Sequence, residues 1–273
     1  DLILVFDKLR ATRTKLNPEK CVFGVSAGKL LGFLVSHRGI EANPEKIKAI
    51  EAMRPPARIK DVQKLMGSLA ALSRFISRLA ERALPFFKLL RKSGPFSWIE
   101  AAERAFQELK QHLVSLPILV ALEPGEPLYL YIAAATEAVS MVLVVERTEQ
   151  HSQGSQEVPL GEGGGPTTTD LEGPGPTVGV RTIQKSVYYV SEVLHEAKAR
   201  YLETHKLIYA MLVASRKLCH YFQAHRVMVV TSFPLRAILH NSNATGNIAK
   251  CGLWSLQSSN WTSSLATLSR ARS

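Results

Sequence analysis

The chain has 273 residues, room for two domains of ordinary size, and 46% of them are apolar, enough for a substantial core. Its formal net charge of +11 favours a polyanionic partner, most simply nucleic acid, although charge alone leaves open an ordinary basic soluble protein. Cys21, Cys219 and Cys251 are far apart, odd in number and not in a metal-ligand spacing, and no apolar run reaches membrane-spanning length. With no signal peptide, a reduced intracellular setting is expected, cytoplasm or nucleus rather than the secreted space, with no membrane partner. A first residue of Asp1 is expected of a fragment of a longer product.

In chain order, Leu2, Val5, Phe6 and Leu9 are spaced as one helical face, broken at Asn17-Pro18. Cys21 to Val25 and Lys29 to Ser36 read as a hairpin turning at Ser26-Ala27-Gly28. Asn43 is a good N-cap, with Pro44 at the first helical position and Ile47, Ile50 and Met53 on one face. A second helix is predicted from about Ile59 or Asp61 to Ala80. Its buried stripe would run Val62, Leu65, Met66, Leu69, Leu72, Phe75, Ile76 and Leu79, with Lys60, Lys64, Arg74 and Arg78 off it. Gly67-Ser68 in mid-helix suggests close backbone approach, either of a nucleic-acid groove or, at least as readily, of a packed helix. Leu84 to Leu90 is a short apolar piece. Glu100 to Leu116 is a third helix, with Ala105, Phe106, Leu109 and Leu113 inward.

Leu128 to Glu146 reads as two strands of period two around the turn Ala133 to Glu137. Gln150 to Val180 holds no Lys or Arg and four acids, so the rest of the chain is four charges more positive than the whole. Rich in Gly, Pro, Thr and Ser, this segment cannot offset its ordering entropy and is expected to be a disordered insert. A phosphate-binding loop is rejected, because Gly161 to Gly165 is followed by neither Lys-Ser/Thr nor a helix. Ser186 to Ser191 is a strand, Leu202 to Phe222 a long helix, Arg226 to Thr231 a strand and Leu235 to His240 a short helix. The C-terminal half is thus an α/β layer on a mixed sheet.

The segments KLNPEKCVFG, GKLLGFLVSHRGIEANPEKIKAI, FSWIEAAERAFQELK and RKLCHYFQAHRVMVVTSFPL resemble the Pol polyprotein of plant gypsy-type LTR retrotransposons, in that family's order. The resemblance runs from Asp1 to about Lys250. It implies an α+β or α/β chain: a helical thumb-like region followed by an RNase H-like mixed β-sheet with flanking helices. By resemblance, residues 1–40 end a reverse transcriptase palm, 41–94 form thumb-like helices and 95–250 form the connection and RNase H-like domain, with 150–180 as its insert. The segment Leu30-Leu31-Gly32-Phe33 matches the family's primer-positioning hairpin. Nucleic-acid contacts are expected at Leu31, Gly32, Phe33, Lys60, Lys64, Arg74 and Arg78.

The departures from the pattern carry as much weight. Tyr-x-Asp-Asp is missing, and the chain has only four Asp: Asp1, Asp7, Asp61 and Asp170. Two-metal phosphoryl chemistry needs clustered carboxylates. The three RNase H acid positions, placed by resemblance, hold Ala133, Leu207 and Ser232, and no Asp or Glu occurs from Thr204 to Ser273. Glu137 and Glu203 are the nearest substitutes and are read as surface charges. His220 and His225 are five apart, off one helical face, and are read as structural rather than as ligands. No catalytic residue, metal site or cofactor is therefore expected in this chain, whereas the parent enzyme would use Mg2+.

Residues 251–273 lack amphipathic period and are read as a frameshifted, unstructured tail, because suitable codons read in another frame could spell a family-like continuation. Three functional readings follow. The first is a non-catalytic Pol fragment that keeps a scaffold for an RNA/DNA hybrid or template-primer duplex, with the rest of the polyprotein as a further candidate partner. The second is an active RNA-directed DNA polymerase and RNase H within a longer product. The third is a pseudogene product without selected function.

Overall fold

The computed structural model describes residues 2–91, 94–151 and 179–231, together with Phe233 and Leu235. The predicted tail, the helix expected over 235–240 apart from Leu235, and most of the expected insert lie outside the described residues.

The first helix, α1 (Leu2–Ala11), buries none of its residues, and Ile3 and Leu4 are 73% and 72% exposed. A three-stranded antiparallel meander follows: β1 (Ala27–Leu30), β2 (Phe33–Ser36) and β3 (Gly39–Ala42). This corrects the expected hairpin. Cys21 to Val25 forms no strand, and the turn falls at Leu31-Gly32 instead of Ser26 to Gly28. Both turn residues take positive φ, 50° and 82°, the backbone that lets a two-residue turn follow the right-handed twist of its strands. Gly39 (φ +134°) has a different cause. A Cβ there would lie 2.2 Å from the Leu119 carbonyl oxygen. Only glycine lets Ile40 and Leu119 exchange backbone hydrogen bonds of 2.7 and 2.9 Å, which tie β3 to the chain ahead of the second sheet.

Helix α2 (Pro44–Glu51) starts as expected, with the Glu45 amide donating to Asn43 Oδ1 at 2.9 Å. Helix α3 (Ile59–Leu72) is shorter than expected. Its apolar stripe continues through Phe75, Ile76 and Leu79, all buried, but a 3-10 turn over Ser73–Phe75 and Arg78 in the left-handed region (φ 56°) break the helix. The break starts the short α4 (Leu79–Arg82), whose Ala80 amide donates to Ser191 Oγ of the second sheet at 2.9 Å. Helices α5 (Leu84–Arg91) and α6 (Glu100–Val114) close this half around Phe75, Phe86, Phe106 and Leu109. Ala105, expected inward, is only partly buried, while Ala102 is fully buried. Trp98 stacks on Phe86 at 6.0 Å and meets Phe106 edge-on at 6.1 Å.

The second half is the mixed sheet. Strands β4 (Leu128–Ala134), β5 (Ala138–His151), β6 (Gly179–Val193) and β7 (Val227–Val230) stand in the order β6-β5-β4-β7, with β7 parallel to β4 and the other pairs antiparallel. The period of two is realised: Leu128, Leu130, Ile132, Val139, Met141, Leu143 and Val145 all enter one core. Strands β5 and β6 run further than expected, pairing out to His151 and Gly179, so the ends of the expected insert belong to a two-stranded ladder. The long C-terminal helix is two: α7 (Glu203–Lys217) and α8 (Cys219–Ala224), turning at the fully buried Leu218. They form the crossover that carries the chain from β6 across the sheet to β7. Helical and sheet regions, and a mixed sheet with flanking helices, are as expected.

Candidate functional site

Strand β4 ends in solvent. Ala133 is exposed and pairs with Ser140 of β5, so its methyl group sits where the resemblance places the first acid. Helix α7 crosses this strand end, and its residues divide by face. Leu207 is 2% exposed within the sheet core, a position for an apolar side chain. Lys206, one residue earlier, is 8% exposed and donates its ammonium to the carbonyls of Thr136 (2.7 Å) and Ala135 (3.3 Å). It thereby pins the β4–β5 turn to α7. Ala134, Ala135, Thr136, Glu203 and Lys206 line a shallow cavity of about 350 Å³. Glu203 is exposed, and Glu137 is ion-paired with Lys88 of α5 at 2.6 Å. Ser232 lies outside the described residues.

A hard divalent cation needs several oxygen ligands, carboxylates foremost. The strand end supplies a methyl group, a lysine ammonium and one exposed carboxylate, so the Mg2+ implied by the resemblance does not fit these residues. Among the described residues no group of three His, Cys, Asp or Glu could hold a metal ion. The sequence signal for Lys206 was a cation immediately before the apolar run Leu207-Ile208 of α7, and sequence reasoning passed over it.

The residues expected to meet nucleic acid fall into two groups. Lys60 and Lys64 are exposed on α3, without an ion pair among the described residues, and Gly67 continues their face at helical spacing. A Cβ at Gly67 would meet nothing within 4 Å, which overturns the tight-packing reading of that glycine. The face is open: two free ammonium groups beside bare backbone. At the β1–β2 turn, Leu31 is 88% exposed in the left-handed region, and a Cβ on Gly32 would lie 2.9 Å from Lys46 Nζ.

The second group is already engaged. Arg78 forks onto both carboxylate oxygens of Glu81, at 2.6 and 2.8 Å. Phe33 is half-buried against Phe75, with ring centroids 5.8 Å apart. Arg74 is half-buried against two rings, its guanidinium carbon 4.9 Å from the Phe33 centroid and 4.6 Å from that of Tyr188 on β6. Its Nε is buried, with no hydrogen-bond partner among the described residues. Arg74 therefore joins the meander, the helical half and the sheet, rather than standing free for a phosphate.

A second polar cluster braces the sheet against α7. Tyr209 donates to Glu192 at 2.5 Å, Lys198 donates to Tyr209 at 2.8 Å and Lys217 lies 3.2 Å from Glu192. Burial pushes the Glu192 carboxyl up, but the Tyr209 and Lys217 hydrogen bonds outweigh it and leave the group below its ordinary value. At the opposite end of the sheet Arg147 forks onto Glu126 (2.9 and 3.0 Å) and donates to the Ala121 carbonyl at 2.7 Å. The Arg147 hydrogen bonds hold the Glu126 carboxyl below its ordinary value.

No protein-family model matches the chain. In sequence it is 29% identical to the transposon Tf2-3 polyprotein of Schizosaccharomyces pombe (strain 972) over 139 residues, 51% of this chain and 10% of that polyprotein. The Tf2-4 polyprotein of the same yeast matches equally. In fold, a foamy viral protease-reverse transcriptase solved with an RNA/DNA hybrid superposes over 97% of this chain and 32% of its own, with a TM-score of 0.68 and 14% identity. The same protein solved with double-stranded DNA covers 93% of this chain and 47% of its own, with a TM-score of 0.64 and 14% identity. The chain spans about a tenth of the length of the curated relatives it matches, and less than half of these structures. It is similar in sequence to a segment of retrotransposon polyproteins and has the fold of a segment of a viral reverse transcriptase.

Proposed function

We propose that this chain is a segment of a gypsy-type retrotransposon Pol polyprotein, of the kind found in plants, that holds an RNA/DNA hybrid or template-primer duplex without cleaving it. The observation that carries this reading is the pair of surfaces built on one scaffold. The β4 end presents Ala133 and the Lys206 ammonium, where a hydrolytic site would need carboxylates. Helix α3 presents Lys60, Lys64 and the bare Gly67 backbone to solvent. Phosphate neutralisation by lysines gives sequence-independent, salt-sensitive affinity, which suits a clamp on a duplex. The resemblance of both halves to a chain solved on such duplexes supports the reading.

The test is binding of a labelled RNA/DNA hybrid at several salt concentrations, with cleavage followed in Mg2+. The reading expects salt-sensitive binding that weakens in the Lys60→Ala, Lys64→Ala variant, with the hybrid left intact. Mg2+-dependent cleavage by the purified chain would overturn the non-cleaving part, and salt-insensitive or absent binding would overturn the clamp.

A further inference from the structure

Between α4 and α6 lies an open cavity of about 390 Å³. Its volume falls in the range that small ligands occupy, roughly 300–1,000 Å³. Arg78, Glu81 and Arg82 line it from the α4 side, and Arg104 and Glu108 from α6. The small side chains of Ala101 and Ala105 on α6 leave the room between them.

The five charged groups are not equivalent. Arg78 and Glu81 neutralise each other through their fork. That leaves the guanidinium groups of Arg82 and Arg104 with one carboxylate, Glu108, which has no ion pair or hydrogen bond among the described residues. Arg104 by itself would be an ordinary helix-surface charge. Its side chain is 70% exposed and lies 3.6 Å from Glu100 of the preceding turn, a contact worth little and easily exchanged. Arg82 is different. It is half-buried, and its Nε donates to the Ser77 carbonyl at 3.1 Å, which fixes the plane of the head. Its terminal nitrogens have no acceptor among the described residues. They are nevertheless open to solvent, because the one buried side-chain polar atom without a partner there is Arg74 Nε.

A guanidinium held at its Nε and free at its other edge is prepared for a ligand at little further ordering cost. That edge presents parallel N–H bonds, the match for two oxygens of a phosphate group. Glu108 sets the rest of the specificity. Its carboxylate repels a bare anion but accepts hydrogen bonds from hydroxyl groups. Two guanidinium groups beside one carboxylate therefore suit a phosphate carried on a hydroxylated molecule.

We propose that this cavity binds a phosphorylated sugar, with Arg82 and Arg104 on the phosphate and Glu108 accepting from a sugar hydroxyl, above Ala101 and Ala105. The sugar phosphate is either a free small molecule or the end of a nucleic-acid strand. None of these residues belongs to the α3 lysine face, so duplex binding through Lys60 and Lys64 stands or falls separately.

The experiment follows the Arg82 Nε–H resonance of the 15N-labelled chain by NMR, assigned by its loss in Arg82→Lys. Inorganic phosphate, ribose 5-phosphate and a short RNA/DNA hybrid bearing a 5′-phosphate are titrated in separate arms. The expected result is a saturable shift with ribose 5-phosphate, at least several-fold tighter than with inorganic phosphate. Because Arg82→Lys can loosen α4, two exposed positions carry the rest of the test. Arg104→Glu should weaken both ligands at least several-fold, and Glu108→Gln should bring the two affinities together, with circular dichroism unchanged in each. A response to the hybrid that exceeds the response to ribose 5-phosphate, and that survives Lys60→Ala with Lys64→Ala, would uphold the site and assign its sugar phosphate to a strand end. An Arg82 signal that none of the ligands moves, or one that moves undiminished in Arg104→Glu, overturns the proposal. Equal affinities for inorganic phosphate and ribose 5-phosphate in the parent chain overturn the sugar assignment.

Discussion

The guanidinium carbon of Arg74 lies 4.6 Å from the ring centroid of Tyr188, and this pair crosses from the helical half to the sheet. The Phe33 ring centroid lies 4.9 Å from the same guanidinium carbon, so one side chain joins three parts of the fold. Cation–π contacts are worth about 0.5–1 kcal/mol when exposed and about 2 kcal/mol when desolvated. Arg74→Ala should therefore lower stability by about 1–3 kcal/mol, and Tyr188→Leu by less. A double-mutant cycle by urea unfolding should return a coupling of about 0.5–2 kcal/mol for the pair. A coupling near zero would show that the rings merely flank the cation.

Ion pairing separates Arg78 from the α3 lysines in binding. On a duplex, every phosphate that a protein cation no longer neutralises reduces the slope of log affinity against log salt by about 0.9. Lys60→Ala and Lys64→Ala should each reduce the slope by about that amount. Arg78→Ala should leave it nearly unchanged, because Glu81 already holds that guanidinium. Equal effects at all three positions would place the duplex across α4 as well as α3.

Much of this fold was legible in the residues. The alternation in β4 and β5 predicted which side chains enter the sheet core, and Asn43-Pro44 predicted the start of α2. What escaped was set by contacts distant in sequence. The stripe from Val62 to Leu79 reads as one helix because its apolar spacing runs on without a gap. The break at Arg78 serves the Ala80–Ser191 hydrogen bond, whose partner is 111 residues away. The hairpin turn falls at Leu31-Gly32, where both residues take positive φ, and positive φ at a leucine is not legible in composition. The basic residues were easy to name, yet composition could not tell exposed Lys64 from half-buried Arg74. Lys206 and Tyr188 acquire their roles only once α7 and β6 are packed.

Gly67 gives a prediction in which stability and binding diverge. It lies in the interior of α3, exposed, with room for a side chain. Gly67→Ala should stabilise the chain by about 0.5–1 kcal/mol, the usual helix preference for alanine. If a duplex backbone approaches this face, Gly67→Leu should weaken binding several-fold while leaving stability above that of the parent. Unfolding midpoints and hybrid binding, measured on the same preparations, decide it. Undiminished binding by Gly67→Leu would move the contact off this part of the helix.

Acid should destabilise the chain in two steps. Burial, and then the charge of Arg82, hold the His112 imidazole below its ordinary value, so the unfolded chain takes up that proton first. The stability it represents is present above about pH 6.5 and is lost as the pH falls below that. Glu126 is likewise depressed, by its Arg147 hydrogen bonds, and its contribution is lost only as the pH falls below about 4.3. Urea midpoints should therefore fall between about pH 7.5 and 5.5 and again below about pH 4.5. Glu126→Gln should lower stability at neutral pH and reduce the second step, whose remainder belongs to other depressed carboxylates such as Glu192, leaving the first intact. A parent chain whose midpoint rises on acidification would contradict both assignments.

The β4 end gives the sharpest contrast between two positions that the resemblance treats alike. Ala133 is exposed at a strand end, so Ala133→Asp should change stability by no more than about 1 kcal/mol. Leu207 is sealed in the sheet core, so Leu207→Glu forces a carboxylate among apolar side chains and should cost on the order of 3 kcal/mol or more at neutral pH. The double variant should inherit the cost of Leu207→Glu and gain no stability from Mg2+, because Lys206 keeps an ammonium against the Ala135 and Thr136 carbonyls beside it. Thermal melts of the two single variants and the double variant, with and without Mg2+, test this directly. A melting temperature that rises with Mg2+ in the double variant would mean that the side chain at position 207 can reach the strand end. The loss of the acids would then be a matter of two side chains. The unchanged melt expected here means that the helix face itself, with the lysine bound to the turn carbonyls and the leucine in the core, no longer presents a cation site.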